Sequence, residues 1–270
     1  MTIELTIIGG GNMGEALLSG LLAAEPQLLR PEQIAVVELS PERAAYLRER
    51  YGVPVLDLAS AVRGASTVFL FVKPYHVDDL LPQLTEHVTD DQLIVSAVGG
   101  ITIGHIEAGL AAKPAVVRCM PNTAVAVGAG MIGISAGSNA GEDHLDRTTE
   151  LLRPVGRVVR VPETQLDAVT ALSGSGPAYF FLLAEAMIDA GVLVGLTRQL
   201  ATELVTQTAA GAGLMLRDLG SDPVALRAAV SSPGGMTIAA VRELEEHGLR
   251  AGMMAAVAAA RDRSVELGQS

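Results

Sequence analysis

Lysine is almost missing from this chain: Lys73 and Lys113 are the only two among 270 residues. The arginines are scattered, and 30 acidic residues against 19 basic ones leave a formal charge of −11. A general nucleic-acid surface, or a grip on anionic lipid, needs clustered positive charge, so neither is expected. Cysteine is scarcer still: a lone Cys119 excludes an internal disulfide framework and a cysteine-built metal site. A charge-free apolar span is also lacking. The greasiest stretch, Ala178–Leu196, carries Glu185 and Asp189 and reads as a buried helix, not a membrane crossing. The N-terminus enters the apolar run Ile3–Ile8 with no basic region or cleavage site, so no signal peptide is expected and the protein is expected to be soluble and cytoplasmic. Hydrophobic residues make up 49% and charged ones 18%, enough to bury a core in one large domain or two ordinary ones.

Two textures divide what is present. Up to about residue 160, short Val- and Ile-rich runs read as strands: Leu5–Ile8, Ile34–Glu38, Thr67–Val72, Leu93–Ala97, Ala115–Cys119 and Gly130–Ser135. Helical patterns at Glu15–Ala24, Pro41–Tyr51 and Val77–His87 lie between the early ones. Strands apolar on both faces and alternating with helices predict a parallel sheet covered on each side. Past Pro162 the strands stop, and residues 164–192, 197–218, 223–230 and 236–268 read as helices rich in Ala, Leu and Glu. The reading is therefore α/β, with a parallel-sheet domain over 1–160 and an all-helical domain over 161–270. So many apolar and small positions on a thin helical domain predict an obligate oligomer.

Gly9-Gly10-Gly11-Asn12-Met13-Gly14 fits G-x-G-x-x-G and stands between the first strand and the first helix. In that context Gly9 permits the tight turn, Gly11 lets backbone approach a pyrophosphate, and Gly14 lets helix and strand pack closely. The phosphates would rest on N–H groups at the helix start. Glu38, ending the second strand, suits the hydroxyls of a ribose and repels a 2′-phosphate. Ser40 and Arg43 follow closely and suit a phosphate, although Arg43 also reads as a solvated helix residue. NADH and NADPH both stay open.

The helical half holds two glycine-rich stretches, Ser173–Tyr179 and Ser231–Thr237, each before a long helix. Unpaired N–H groups and hydroxyls at a positive helix end suit a small carboxylate. Helix capping and close helix crossing explain the first stretch equally well, whereas the second favours an anion site. His76, His87, His105, His144 and His247 share no ligand-like spacing and read as surface residues, and no metal is expected.

These motifs together resemble the pyrroline-5-carboxylate reductase family. The likeness runs along nearly the whole chain: the glycine loop, Val72-Lys73-Pro74, Ser96–Gly100 with Ile101-Thr102, Arg118-Cys119-Met120-Pro121-Asn122, both glycine-rich stretches, and Leu244-Glu245 with Gly248 and Arg250. The resemblance implies a Rossmann domain, a helical C-terminal dimerisation domain, dimers interleaved through its helices, and decamers in some members. It implies reduction of L-1-pyrroline-5-carboxylate to L-proline by NADPH or NADH. By position, Ile8, Gly9, Gly10, Gly11, Asn12 and Met13 would touch the pyrophosphate, and Ser40 the adenosine ribose or its phosphate. Val72, Lys73 and Gly99 would line the rest of the cofactor cleft. Ser232, Gly234, Gly235, Met236 (through its backbone) and Thr237, with Glu163, would hold the substrate. Thr237 would bond the imine nitrogen as the catalytic residue. Leu58 falls where many relatives carry Asn near the adenosine, and Leu39 where some bacterial members have Arg, which weakens a strong NADP preference. A related hydroxyacid or imine reductase would place a catalytic lysine or aspartate on the long helix after the first domain, and Asp167–Asp189 offers no lysine. A nicotinamide-sensing protein without turnover would lack the anion site at Ser231–Thr237.

Overall fold

Seven short strands form one sheet in the computed structural model, which describes residues 3–220 and 222–269. They are β1 Leu5–Ile8, β2 Ile34–Val37, β3 Thr67–Leu70, β4 Leu93–Ser96, β5 Ala115–Met120, β6 Gly130–Ala136 and β7 Gly156–Arg160, in the order β2-β1-β3-β4-β5-β6-β7. The first five run parallel, β6 is antiparallel to β5, and β7 is parallel to β6. Every residue of β1, β3, β4 and β5 is buried, the consequence of helices covering both faces.

The helices of this half are α1 Asn12–Ala23, α2 Pro41–Tyr51, α3 Leu58–Val62, α4 Val77–Thr85, α5 Ile103–Ala108 and α6 Glu142–Leu152, followed by the single turn α7 Leu166–Val169. Their starts are written locally: Ser40, Asp57 and Thr102 each accept a backbone N–H at the head of α2, α3 and α5. Two apolar layers result. One joins α1 to the sheet through Leu17, Leu21, Ile7 and Cys119; the other joins α4 and α5 through Leu81, Ile106, Ile94 and Val116.

The departures from the expected sheet are local. Only residues 121–129 link β5 to β6, too few for the crossover a parallel partner requires, so the chain turns back. The strand β7 escapes the pattern because Arg157 and Arg160 are exposed and none of its residues is fully buried. Burial pushes the Cys119 thiol up to about 12. The native protein should accordingly be inert to a thiol-disulfide reagent and titrate one thiol only when denatured, as absorbance assays with and without denaturant will read. Rapid labelling of the native chain would contradict the buried placement.

The remaining helices are α8 Gly176–Leu193, α9 Arg198–Asp218, α10 Pro223–Ala229, α11 Met236–Glu246 and α12 Leu249–Gln269. The stretch expected as one helix over 236–268 breaks after Glu246, where Gly248 has φ of 75°. Two compact units emerge: residues up to Ser175 together with those from Ala260, and Gly176–Ala259. The expected cut near residue 160 thus lies inside the first unit. In the second unit α8 crosses α9 closely, a Cβ on Gly191 lying 2.9 Å from that of Ala201. Ala201 and Val205 are buried there, but Phe180, Phe181 and Leu182 are 68%, 69% and 67% exposed. The single chain does not bury α8, contrary to the expectation for Ala178–Leu196. An apolar surface of that extent calls for a cover from outside the chain.

Candidate functional site

At the C-terminal end of β1 the chain makes a tight turn. Gly9 takes φ of 100°, and a Cβ there would meet the Phe71 carbonyl oxygen at 2.6 Å. A Cβ on Gly14 would stand 2.1 Å from the Gly9 oxygen, so the first turn of α1 can lie on the strand end only with glycine at both places. Gly11 has open space on the side where a Cβ would project. It caps α1 without a side-chain bond, so the N–H groups of the first turn have no acceptor inside the helix. Open room, small residues and a positive dipole end fit a pyrophosphate. The residues present therefore fit a nicotinamide dinucleotide at this end of the sheet.

Of the loop residues, Gly11 and Asn12 are exposed at that opening, Met13 is half-buried against the first apolar layer, Ile8 is buried, and Gly9 N–H donates to the Val37 carbonyl at 2.9 Å. Gly10 is clamped from two sides. Its N–H donates to Glu38 Oε2 at 3.0 Å, and its carbonyl accepts Arg43 Nε–H at 2.8 Å. The other Glu38 oxygen accepts Ser40 N–H at 2.9 Å. Arg43 is also paired with Glu15 and lies over the Tyr46 ring at 5.0 Å, so it is not the solvated residue it resembles in sequence. Tyr51 and Tyr46 donate to the same Glu15 carboxylate at 2.8 and 3.0 Å. Burial alone would raise the Glu15 carboxyl, but the bonds from Tyr51, Arg43 and Tyr46 outweigh it and hold it below the usual range. The Arg43–Glu15 pair is therefore complete at neutral pH and is weakened as pH falls through that lowered value.

Val72 is half-buried against the second apolar layer, and Lys73 and Gly99 are exposed just beyond β3 and β4. Four neighbouring parallel strands, β2, β1, β3 and β4, thus end at candidate cofactor residues, the place where open α/β sheets bind ligands. A groove of about 640 Å³ runs along the C-terminal half of α1 by Ser19, Glu25, Val125 and Arg153, but no glycine-loop residue lines it.

Glu163 sits in a different setting from the one expected. Its Oε1 accepts Ile103 N–H at 2.8 Å and Arg118 Nη1–H at 3.0 Å. Arg118 is 3% exposed, and its Nε has no partner among the described residues. The carboxylate thus ties β5 to the start of α5, a brace within the first unit. Arg118 as its partner was unread in the sequence, where only the Arg118–Asn122 string as a whole stood out.

Ser173–Gly176 is not the open helix start its composition suggests. Thr170–Gly174 forms a π-turn joining α7 to α8, and Ser175 N–H donates to the Thr170 carbonyl at 2.8 Å. Helical bonding occupies these groups, so the stretch offers no anion site of the kind weighed above. Ser231–Thr237 is an open helix start. Gly234 has φ of 69°, Gly235 N–H donates to the Ser232 carbonyl at 3.0 Å, and Gly235 caps α11 without a side-chain bond. Ser232, Met236 and Thr237 are exposed around that helix start, Met236 to 92%.

Comparison with known proteins places both halves. The family model for pyrroline-5-carboxylate reductase dimerisation matches residues 163–267, and that for coenzyme F420-dependent NADP oxidoreductases matches residues 4–100. Over 98% of its length the chain is 47% identical to the pyrroline-5-carboxylate reductase of Mycobacterium tuberculosis, covering 96% of that protein. It is 41% identical to that of Synechocystis over the whole of both chains. The solved pyrroline-5-carboxylate reductase of Coxiella burnetii superposes with a TM-score of 0.92 at 35% identity, covering all of both chains. The Plasmodium falciparum pyrroline carboxylate reductase, solved with NADP bound, gives 0.86 at 28% identity over 98% of each.

Proposed function

The chain belongs to the pyrroline-5-carboxylate reductase family and is an NAD(P)H-dependent oxidoreductase acting on a cyclic imine, and from that premise we propose how its residues divide the reduction of L-1-pyrroline-5-carboxylate to L-proline. The observation that carries the reading is the glycine loop, open at Gly11 and braced at Gly10, at the head of α1. The bound nicotinamide supplies hydride to the imine carbon. Gly11, Asn12 and Met13 hold the pyrophosphate through backbone N–H groups, while Gly9 and Gly10 shape the turn beneath it. Ile8 acts from below as core. Glu38 and Ser40 meet the adenosine ribose, and Val72, Lys73 and Gly99 line the remaining cleft.

Substrate binding falls to Ser232, Gly234, Gly235 and the Met236 backbone, whose N–H groups at the start of α11 suit the substrate carboxylate. The Thr237 hydroxyl bonds the ring nitrogen, which gains the electron pair as the imine is reduced. A substrate that arrives as an iminium needs no histidine or lysine base. Glu163 is kept as the brace of α5. Loss of nicotinamide absorbance on mixing the protein, NAD(P)H and L-1-pyrroline-5-carboxylate tests the reading. No loss of absorbance, with cofactor bound, would favour a nicotinamide sensor.

The proposed working form is at least a homodimer in the cytoplasm, with a decamer as the larger assembly that sedimentation separates from it. Residues 163–193 are long and apolar enough to cross a membrane. A second copy is the better cover, because α8 carries Glu185 and Asp189, and Asp189 pairs with Arg198 at 2.7 Å. With an acidic balance and scattered arginines, no nucleic-acid partner is proposed.

Glu38→Ala is expected to lower kcat/KM with both cofactors, since it removes the acceptor of two loop N–H groups. The loss should be greater with NADH, because a carboxylate close to a 2′-phosphate costs about 1–4 kcal/mol at surface-like dielectric. Parallel kinetics should show the NADPH-to-NADH ratio rising several-fold; an unmoved ratio would mean that Glu38 does not face the ribose.

A further inference from the structure

The last turns of α12 hold a feature that the proposed chemistry does not use. From Arg261 to Gly268 the helix is exposed except at Ser264, which is 8% exposed. The Ser264 hydroxyl donates to Asp167 Oδ1 on α7 at 2.7 Å. One turn further on, the helix backbone meets the loop after β4. A Cβ on Gly100 would lie 3.2 Å from the Leu267 carbonyl oxygen, and one on Gly268 would lie 3.2 Å from the Gly100 oxygen. Gly100 itself has φ of 77°. The ends of this loop are secured within the sheet domain: Val98 N–H donates to Ser96 Oγ at 3.3 Å, and Ile103 N–H to Glu163. Gly100, between them, backs onto α12, while Gly99 has open space on its Cβ side. A single buried hydroxyl on an otherwise exposed helix end marks a specific latch, because apolar packing would have chosen an apolar residue there.

We propose that the C-terminal turns of α12 position the Val98–Thr102 loop, and with it Gly99 of the cofactor cleft, through the Ser264–Asp167 hydrogen bond and the seating of Gly268 on Gly100. The inference rests on the assignment of Gly99 to the cofactor made above. Ser264, Asp167 and Gly268 are positioning residues: they touch neither cofactor nor substrate but fix the shape of a loop that does. Freed of the latch, the loop samples other conformations, and the cofactor must select the competent one at a loss of apparent affinity.

The test compares Ser264→Ala, Asp167→Asn and a chain ending at Arg263 with the full chain. It reads NADPH affinity by fluorescence without substrate, both KM values, kcat, sedimentation, and hydrogen exchange over residues 98–102. Ser264→Ala is expected to raise Kd and KM for the cofactor about three- to tenfold, and the shortened chain at least as much, with the substrate KM within about twofold and the dimer intact. Faster exchange of the loop amides should accompany this. Asp167→Asn keeps an acceptor oxygen and should retain most of the affinity. Unchanged cofactor Kd and loop exchange in Ser264→Ala would overturn the proposal, as would an equal rise of both KM values with a lowered Tm. If the shortened chain fails to fold, Ser264→Ala decides. If the full chain binds NADPH but does not reduce the imine, the functional reading fails while the Kd and exchange comparison still judges the latch.

Discussion

Thr237→Ala is expected to bind NAD(P)H as tightly as the parent chain and to lose about 5- to 150-fold in kcat/KM, the worth of one hydrogen bond of about 1–3 kcal/mol that strengthens during reaction. The residue is the second of α11 and exposed at its start, beside Gly235, so its removal leaves the cap and the loop before it unaltered. Ser232 and the N–H groups of Gly234 and Gly235 would still hold the carboxylate, which keeps the substrate KM near its parent value. The informative pattern is therefore a fall in kcat with little change in either KM. Serine at the position retains a hydroxyl and should recover most of the rate. Unchanged kcat/KM in the alanine variant would remove Thr237 from the chemistry.

Phe181→Asp should abolish the dimer and, with it, nearly all activity. Phe181 lies between Phe180 and Leu182 on α8, and the three are exposed to about the same extent in the single chain. The pyrroline-5-carboxylate reductase dimerisation model covers this helix, and the proposed homodimer would bury it against a second copy. A carboxylate buried there without a partner costs about 3–5 kcal/mol, and two-fold symmetry would apply that cost twice. Sedimentation at micromolar protein should show monomer or aggregate, and circular dichroism should show the sheet domain retained. A fully active dimer would refute the placement of α8 at the interface. Cutting the chain after about residue 160 makes the same point more severely, leaving a soluble fragment at best and no turnover.

The architecture was legible because its signals are local. The apolar four-residue strands and the glycine string at the head of α1 each depend on neighbours in sequence. What escaped depends on distant pairs. The bonds of Glu163 to Arg118 and to the start of α5 have no local signature, although the residue itself stood out. Ser173–Gly176 has the composition of a loop, and only the i to i−5 bond at Ser175 shows that the helix runs through it. The burial of Ala178–Leu196 could not be judged from one chain, since apolar composition says that a surface must be covered without saying by what. The direction of β6 was set by the length of a connection, which hydrophobic pattern does not record.

The bracing of Gly10 bears on how this enzyme could be re-engineered. Glu38 and Arg43, the residues a designer would change first to alter nicotinamide preference, also hold the shape of the loop that receives the pyrophosphate. Exchanging Glu38 would shift the cofactor ratio only together with a loss of recognition of both cofactors. Leu39 has no such duty: it stands between Glu38 and Ser40 with 90% of its surface in solvent. An arginine introduced there would bring positive charge toward a 2′-phosphate while leaving every bond of the brace in place. Cofactor choice could thus be altered from Leu39 without disturbing the residues that hold the loop.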